Sequence, residues 1–165
     1  MITTGTPDVV EAESKVVAER VLIVEDDQAA RVGLEQLVRS WGFIADSACD
    51  GEEALEKVTS FRPAIVITDM VMPRMDGLAL LRALPQVGAD VTTLLLTAQG
   101  TVDTAVEAMK EGAYDYLTKP VDIQRLKILL DKIVERLGTL REVKTLRRQL
   151  REHGAFGSQI GRAHV

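Results

Sequence analysis

From residue 20 onward, short apolar runs alternate with stretches in which apolar positions recur every three or four residues. Val21–Val24 is a brief β-branched run, and after it Leu34, Leu37, Val38 and Trp41 share one helical face until Gly42 ends the helix. Phe43–Ala48 reads as a second strand. Asp50, with Glu53 three residues later, signals the cap of a helix through Ala54, Leu55 and Val58. A third strand runs from Ala64 to Thr68. It leaves at Asp69 into a loop with Pro73 and Gly77, and then into a helix carrying Leu78, Leu80, Leu81 and Leu84. Val91–Leu96 is the fourth strand, Thr101 a cap for a helix bearing Val102, Ala105, Val106 and Met109, and Gly112 its stop. Tyr114–Leu117 is the fifth strand, and a last helix starts near Asp122.

Five strand–helix units in so short a span predict an α/β fold, a doubly wound parallel sheet with helices on both faces. Strands covered on both faces should be continuous apolar runs, as VLIV, AIVI and TTLLL are. Ligands in such sheets bind beyond the carboxyl ends of the strands, at the point where strand order reverses.

Those ends are where chemistry-bearing residues concentrate. The first strand ends in Glu25-Asp26-Asp27, the third in Asp69 and the fourth in Thr97-Ala98, while the fifth leads to Lys119-Pro120. If the first and third strands are neighbours, Asp26 and Asp69 face one crevice. Two carboxylates about 4 Å apart repel by roughly 4 kcal/mol at an effective dielectric near 20. A hard dication relieves this, and Mg²⁺ accepts carboxylates, a carbonyl, waters and a phosphate oxygen. With Lys119 opposite, the site suits a phosphoryl group held electrostatically, Asp69 acting as nucleophile and Thr97 offering a hydroxyl.

VLIVEDD, ITDMVMPRMDG, LLLTA and YLTKP, in this order and spacing, resemble the receiver domains of bacterial two-component response regulators over residues 20–137. The resemblance implies a flavodoxin/CheY-like fold of strand order 2-1-3-4-5. It implies Asp69 as phosphoacceptor, Asp26 as a direct ligand of Mg²⁺ and Glu25 as an acid acting through water. It further implies the Val71 backbone carbonyl as a ligand, Thr97 and Tyr116 as a switch pair, Lys119 as the phosphoryl partner, and a cis Pro120. Val121 stands where an aromatic is frequent, and Glu25 where Asp is commoner. A sensor histidine kinase is the implied phosphodonor. The protein is then a regulatory phosphoacceptor rather than an enzyme acting on other substrates.

The blander readings assign Asp27 and Asp76-Gly77 to helix starts, Met70, Met72 and Met75 to loop packing, and Trp41 and Cys49 to core or near-core positions. His153 and His164 lie too far apart in the chain to suggest zinc.

Charge divides the chain. Residues 1–120 carry 10 Lys/Arg against 20 Asp/Glu, and residues 121–165 carry 10 against 5. The acidic part suits a cation site. The basic tail could touch nucleic acid, but its charges fall at helical intervals among leucines, as on a solvated face. Leu126, Leu130, Ile133, Leu137 and Leu140 step by fours and threes as a coiled-coil seam, which Val143, Leu146 and Leu150 then break. A homodimer through this extended C-terminal helix is expected, against the alternative of one terminal helix packed on its own domain.

The expected organisation is a disordered lead-in at 1–19, a receiver at 20–137, a coiled-coil linker at 138–153 and a tail at 154–165. REVKTLRRQLRE and AFGSQIGRAHV resemble the approach to the ATPase domain of enhancer-binding regulators of the NtrC type. That implies transcriptional output, with DNA and RNA polymerase met only through domains absent here. No P-loop pattern occurs. No apolar run reaches membrane-spanning length and no signal pattern opens the chain, so a cytoplasmic location without membrane contact is expected. A free-standing phosphorelay shuttle and an unphosphorylated interaction module are the competing functions.

Overall fold

In a computed structural model that describes residues 18–98 and 102–152, the pattern becomes strands β1 (Arg20–Val24), β2 (Ile44–Ala48), β3 (Ile65–Asp69), β4 (Thr92–Thr97) and β5 (Asp115–Thr118). The helices are α1 (Gln28–Ser40), α2 (Gly51–Phe61), α3 (Gly77–Gln86), α4 (Val102–Lys110) and α5 (Ile123–Glu152). All strand pairs are parallel and their order is β2-β1-β3-β4-β5, as the resemblance implied. The Thr101 cap, most of the lead-in, His153, His164 and the tail at 154–165 lie outside the described residues. The chain divides after Asp122.

Order and handedness together place the helices of the first unit. Right-handed crossovers that step one way from β1 to β2 and the other way from β2 through β5 put α1 on one face and α2, α3 and α4 on the other. On the three-helix face Leu22, Val24 and Val66 pack with Ala54, Leu80 and Leu84. A second cluster joins Leu95 to Met70, Leu81, Ala108 and Ala113. All five β3 residues are buried, whereas the edge strand β2 buries two of its five positions and β5 one of its four. A strand covered on both faces is largely apolar, here up to Thr68 and Asp69 at its carboxyl end; an edge strand need not be.

Three aspartates start the helices that follow strands. Asp27, Asp50 and Asp76 accept the amides of Ala30, Glu53 and Ala79 at 2.9, 2.8 and 2.8 Å. Such a cap is worth about 1 kcal/mol. Because each strand end meets a helix start, these capping acids share the sheet's carboxyl edge with the acids of the site. Cys49 corrects its expected burial: it lies just past β2 and is exposed, while Ala45 and Ala48 are the buried residues of that edge strand. Trp41 is half-buried at the end of α1.

By itself, α5 is a helix of 30 residues that continues through Gly138, about 45 Å long at 1.5 Å per residue. Leu126, Leu130 and Ile133 are fully buried within the single chain, Leu137 is half-buried and Leu140 exposed. Every residue from 141 to 152 is exposed. No helix among the described residues is long and apolar enough to cross a membrane.

Candidate functional site

The sheet order makes β1 and β3 neighbours, with Val24 in register with Thr68, so the residues that follow them meet at one edge. Glu25, Asp26 and Asp69 bring carboxylate oxygens within 4.8 Å of one another. Glu25 is 1% exposed and Asp69 7%, while Asp26 lies at the surface. Burying two acids side by side is costly unless a cation joins them. Lys119 is that cation: its Nζ lies 2.9 Å from Glu25 Oε1 and 2.9 Å from Asp69 Oδ2.

Lys119 reaches the acids because β5 ends one strand beyond β4. Its amide donates to the Thr97 carbonyl at 2.7 Å, and the peptide to Pro120 is cis, as expected. Burial holds the Glu25 carboxyl above its usual pKa; the Asp69 charge adds to this, against hydrogen bonds from Lys119 and the Asp27 amide. For Lys119, burial works downward, but hydrogen bonds and charge from Glu25 and Asp69 outweigh it and hold the ammonium above 10.5. One ammonium among three carboxylates leaves the site negative. Its all-oxygen donor set is one that suits a hard dication such as Mg²⁺ better than a soft metal.

The remaining expected residues fall around this cluster. Asp69 pairs in register with Leu96, which sets Thr97 just beyond it on the adjacent strand; Thr97 is 6% exposed. Tyr116 pairs with Leu95, and side chains alternate along a strand, so Thr97 and Tyr116 occupy the same face of neighbouring strands. Tyr116 is half-buried against the cluster around Leu95. Val71 is 72% exposed, and its amide approaches Asp69 Oδ1 at 3.4 Å. Met70 and Met72 are buried, as loop-packing residues should be.

Two glycines matter more than their sequence context suggested. A Cβ on Gly77 would stand 2.6 Å from the Asp69 carbonyl oxygen and 2.9 Å from Met70 Cα. On Gly51 it would stand 2.7 Å from Met75 Cβ. Both let a helix start press on the loop after Asp69. A poor helix former directly behind an N-cap aspartate was the available signal for each. Arg74 holds the same loop in a left-handed conformation (φ 69°), 3.6 Å from Asp50 and 3.0 Å from Glu52.

An open α/β sheet with acids and a lysine at its carboxyl edge defines a class, and the response regulator receiver domain family model matches residues 21–131. The chain belongs to that family, whose members are regulatory modules phosphorylated by histidine kinases, with an acidic pocket for Mg²⁺.

Among particular relatives, the response regulator MprA of Mycolicibacterium vanbaalenii is 38% identical over 117 residues, covering 71% of this chain and 51% of the relative. The transcriptional regulatory protein ZraR of Klebsiella oxytoca is 39% identical over 112 residues, covering 68% of this chain and 25% of the relative. The chain thus spans about half the length of one relative and a quarter of the other. The solved signal receiver domain of a LuxO repressor protein from Vibrio parahaemolyticus superposes with a TM-score of 0.72 at 28% identity, covering 77% of this chain and 98% of that one. A receiver domain protein from Clostridium thermocellum gives 0.69 at 32% identity, covering 75% and 99%.

Proposed function

We propose that Asp69 accepts a phosphoryl group from the phosphohistidine of a sensor histidine kinase, and that the resulting change at Thr97 and Tyr116 controls a transcriptional output in the cytoplasm. The observation that carries this reading is the buried Asp69 carboxylate paired at 2.9 Å with Lys119, among acids that a cation must neutralise. In the transfer, an Asp69 oxygen attacks phosphorus as the P–N bond breaks; its electron pair stays on the imidazole nitrogen. Asp26, Asp69 and the Val71 carbonyl would hold Mg²⁺, with Glu25 acting through water, and the ion would supply charge neutralisation for the phosphoryl oxygens. Lys119 then pairs with a phosphoryl oxygen in place of the Asp69 carboxylate, and the Thr97 hydroxyl donates to another. Movement of Thr97 frees space on the face it shares with Tyr116, and the tyrosine turns inward. A few kcal/mol of differential interaction suffices for such a switch.

Transcriptional output is supported by the relative named as a transcriptional regulatory protein. A homodimer through α5 would use its exposed apolar residues Leu140, Val143, Leu146 and Leu150.

The test is incubation with Mg²⁺ and acetyl phosphate, read by intact mass. The wild-type chain should gain about 80 Da, one phosphoryl group, and Asp69→Asn should gain nothing. A full adduct on Asp69→Asn refutes the assignment. No adduct on the wild type, with acetyl phosphate or a kinase, favours an unphosphorylated interaction module.

A further inference from the structure

Between the end of β1 and the start of α1, the three acids Glu25, Asp26 and Asp27 form a tight loop with several ties. The Glu25 amide donates to the Ala48 carbonyl at 3.0 Å. The Asp27 amide donates to Glu25 Oε2 at 3.1 Å, and Asp27 itself caps α1. These bonds fix the residues on either side of Asp26. What holds Asp26's own peptide is a side chain from α1: Arg31 Nη1 donates to the Glu25 carbonyl at 2.8 Å and to the Asp26 carbonyl at 3.4 Å. The Arg31 amide meanwhile donates to the Asp27 carbonyl at 2.9 Å, so the residue grips the loop twice.

We infer that Arg31 is a positioning residue for the cation site, aiming the Asp26 carboxylate by pinning the two consecutive carbonyls of the acid pair. The inference rests on the metal reading given above and adds a residue that no site motif contains. Its physical content is a sign. A guanidinium beside a cation site repels a dication, so charge alone predicts that removing it tightens Mg²⁺ binding. Positioning predicts the reverse, because a loop freed to fluctuate must be ordered again when the ion binds. Outer-shell partners of metal ligands are typically worth about 10–100-fold in affinity. Arg31 acts on backbone rather than on a ligand atom, so the low end of that range applies.

The experiment uses the full chain with Arg31→Gln and Arg31→Lys, measuring Mg²⁺ affinity by calorimetry and amide hydrogen exchange in metal-free protein. Arg31→Gln should bind Mg²⁺ about 10-fold more weakly, with faster exchange confined to the amides of residues 25–27. Arg31→Lys keeps the charge and the aliphatic stem, which guards against a general loss of fold. Both carbonyl contacts come from the one nitrogen Nη1, so the lysine ammonium should recover part of the binding that Arg31→Gln loses. Binding by Arg31→Gln that equals or exceeds wild type overturns the inference, as does weaker binding with unchanged exchange at the amides of residues 25–27. A wild-type chain that binds no Mg²⁺ refutes the metal reading itself, and Arg31's role with it.

Discussion

Adding one methyl group at Gly77 tests how the acceptor is held. In Gly77→Ala the new Cβ would lie 2.6 Å from the Asp69 carbonyl oxygen, 2.9 Å from Met70 Cα and 3.3 Å from the Asp69 carbonyl carbon. The first two are closer than real Cβ atoms come, and the atoms in the way are backbone rather than the tip of a flexible side chain. The peptide after Asp69 and the start of α3 must therefore separate by roughly 0.5–1 Å to reach ordinary contact. Overpacking of this kind costs about 1–3 kcal/mol, and the better helix propensity of alanine returns at most about 1. A net loss of about 1–2 kcal/mol lowers Tm by roughly 3–10 °C in a domain of this size. Because the displaced peptide belongs to the acceptor itself, phosphorylation by acetyl phosphate should slow by at least about 10-fold; misplacement of reacting groups by 1 Å can cost on the order of 100-fold.

The controls are Gly33→Ala and Gly138→Ala, at helical positions where a Cβ meets nothing within 4 Å. Each should be neutral or stabilise by about 0.5–1 kcal/mol. Thermal melts, Mg²⁺ calorimetry and the rate of the mass increase read all three variants. A Gly77→Ala protein that melts and phosphorylates like wild type would refute the close-packing argument.

Asp50→Ala should cost about 1 kcal/mol in urea denaturation through loss of the Glu53 cap; no change in midpoint would count against the cap. Lys119 has a folded-state pKa above 10.5, so the stability it lends is full below that value and is lost as pH climbs through the raised one. Lys119→Met should accordingly be less stable than wild type near neutrality without metal, and the difference should shrink in strongly alkaline melts. A constant difference across that range would contradict the ion-pair account. Glu25, held above 4.5, favours the fold most below its ordinary pKa and loses that contribution as pH rises through its raised value. Mg²⁺ should therefore raise Tm more at pH 7 than at pH 4.5; equal shifts would argue that these carboxylates are not the ligands.

Local pattern alone determined that strands and helices alternate, where aspartates cap helices, and that acids end the first and third strands. Apolar runs on the doubly covered strands and the spacing of Asp50 and Glu53 are visible without a fold, because burial and capping impose residue types directly on short segments. The edge strands β2 and β5 were legible only through their neighbours, since a half-covered strand such as IADSA or DYLT carries little periodicity. Tertiary structure decided the rest. Only the register between β1 and β3 gathers Glu25, Asp26 and Asp69, and only the placement of β5 brings Lys119 onto two of them across 50 and 94 residues. The exposure of Cys49 and the close approach of Gly77 to the Asp69 carbonyl depend on how the elements are arranged in space. Periodicity reports which face of an element is apolar; it carries no information about which other element, if any, comes to cover it.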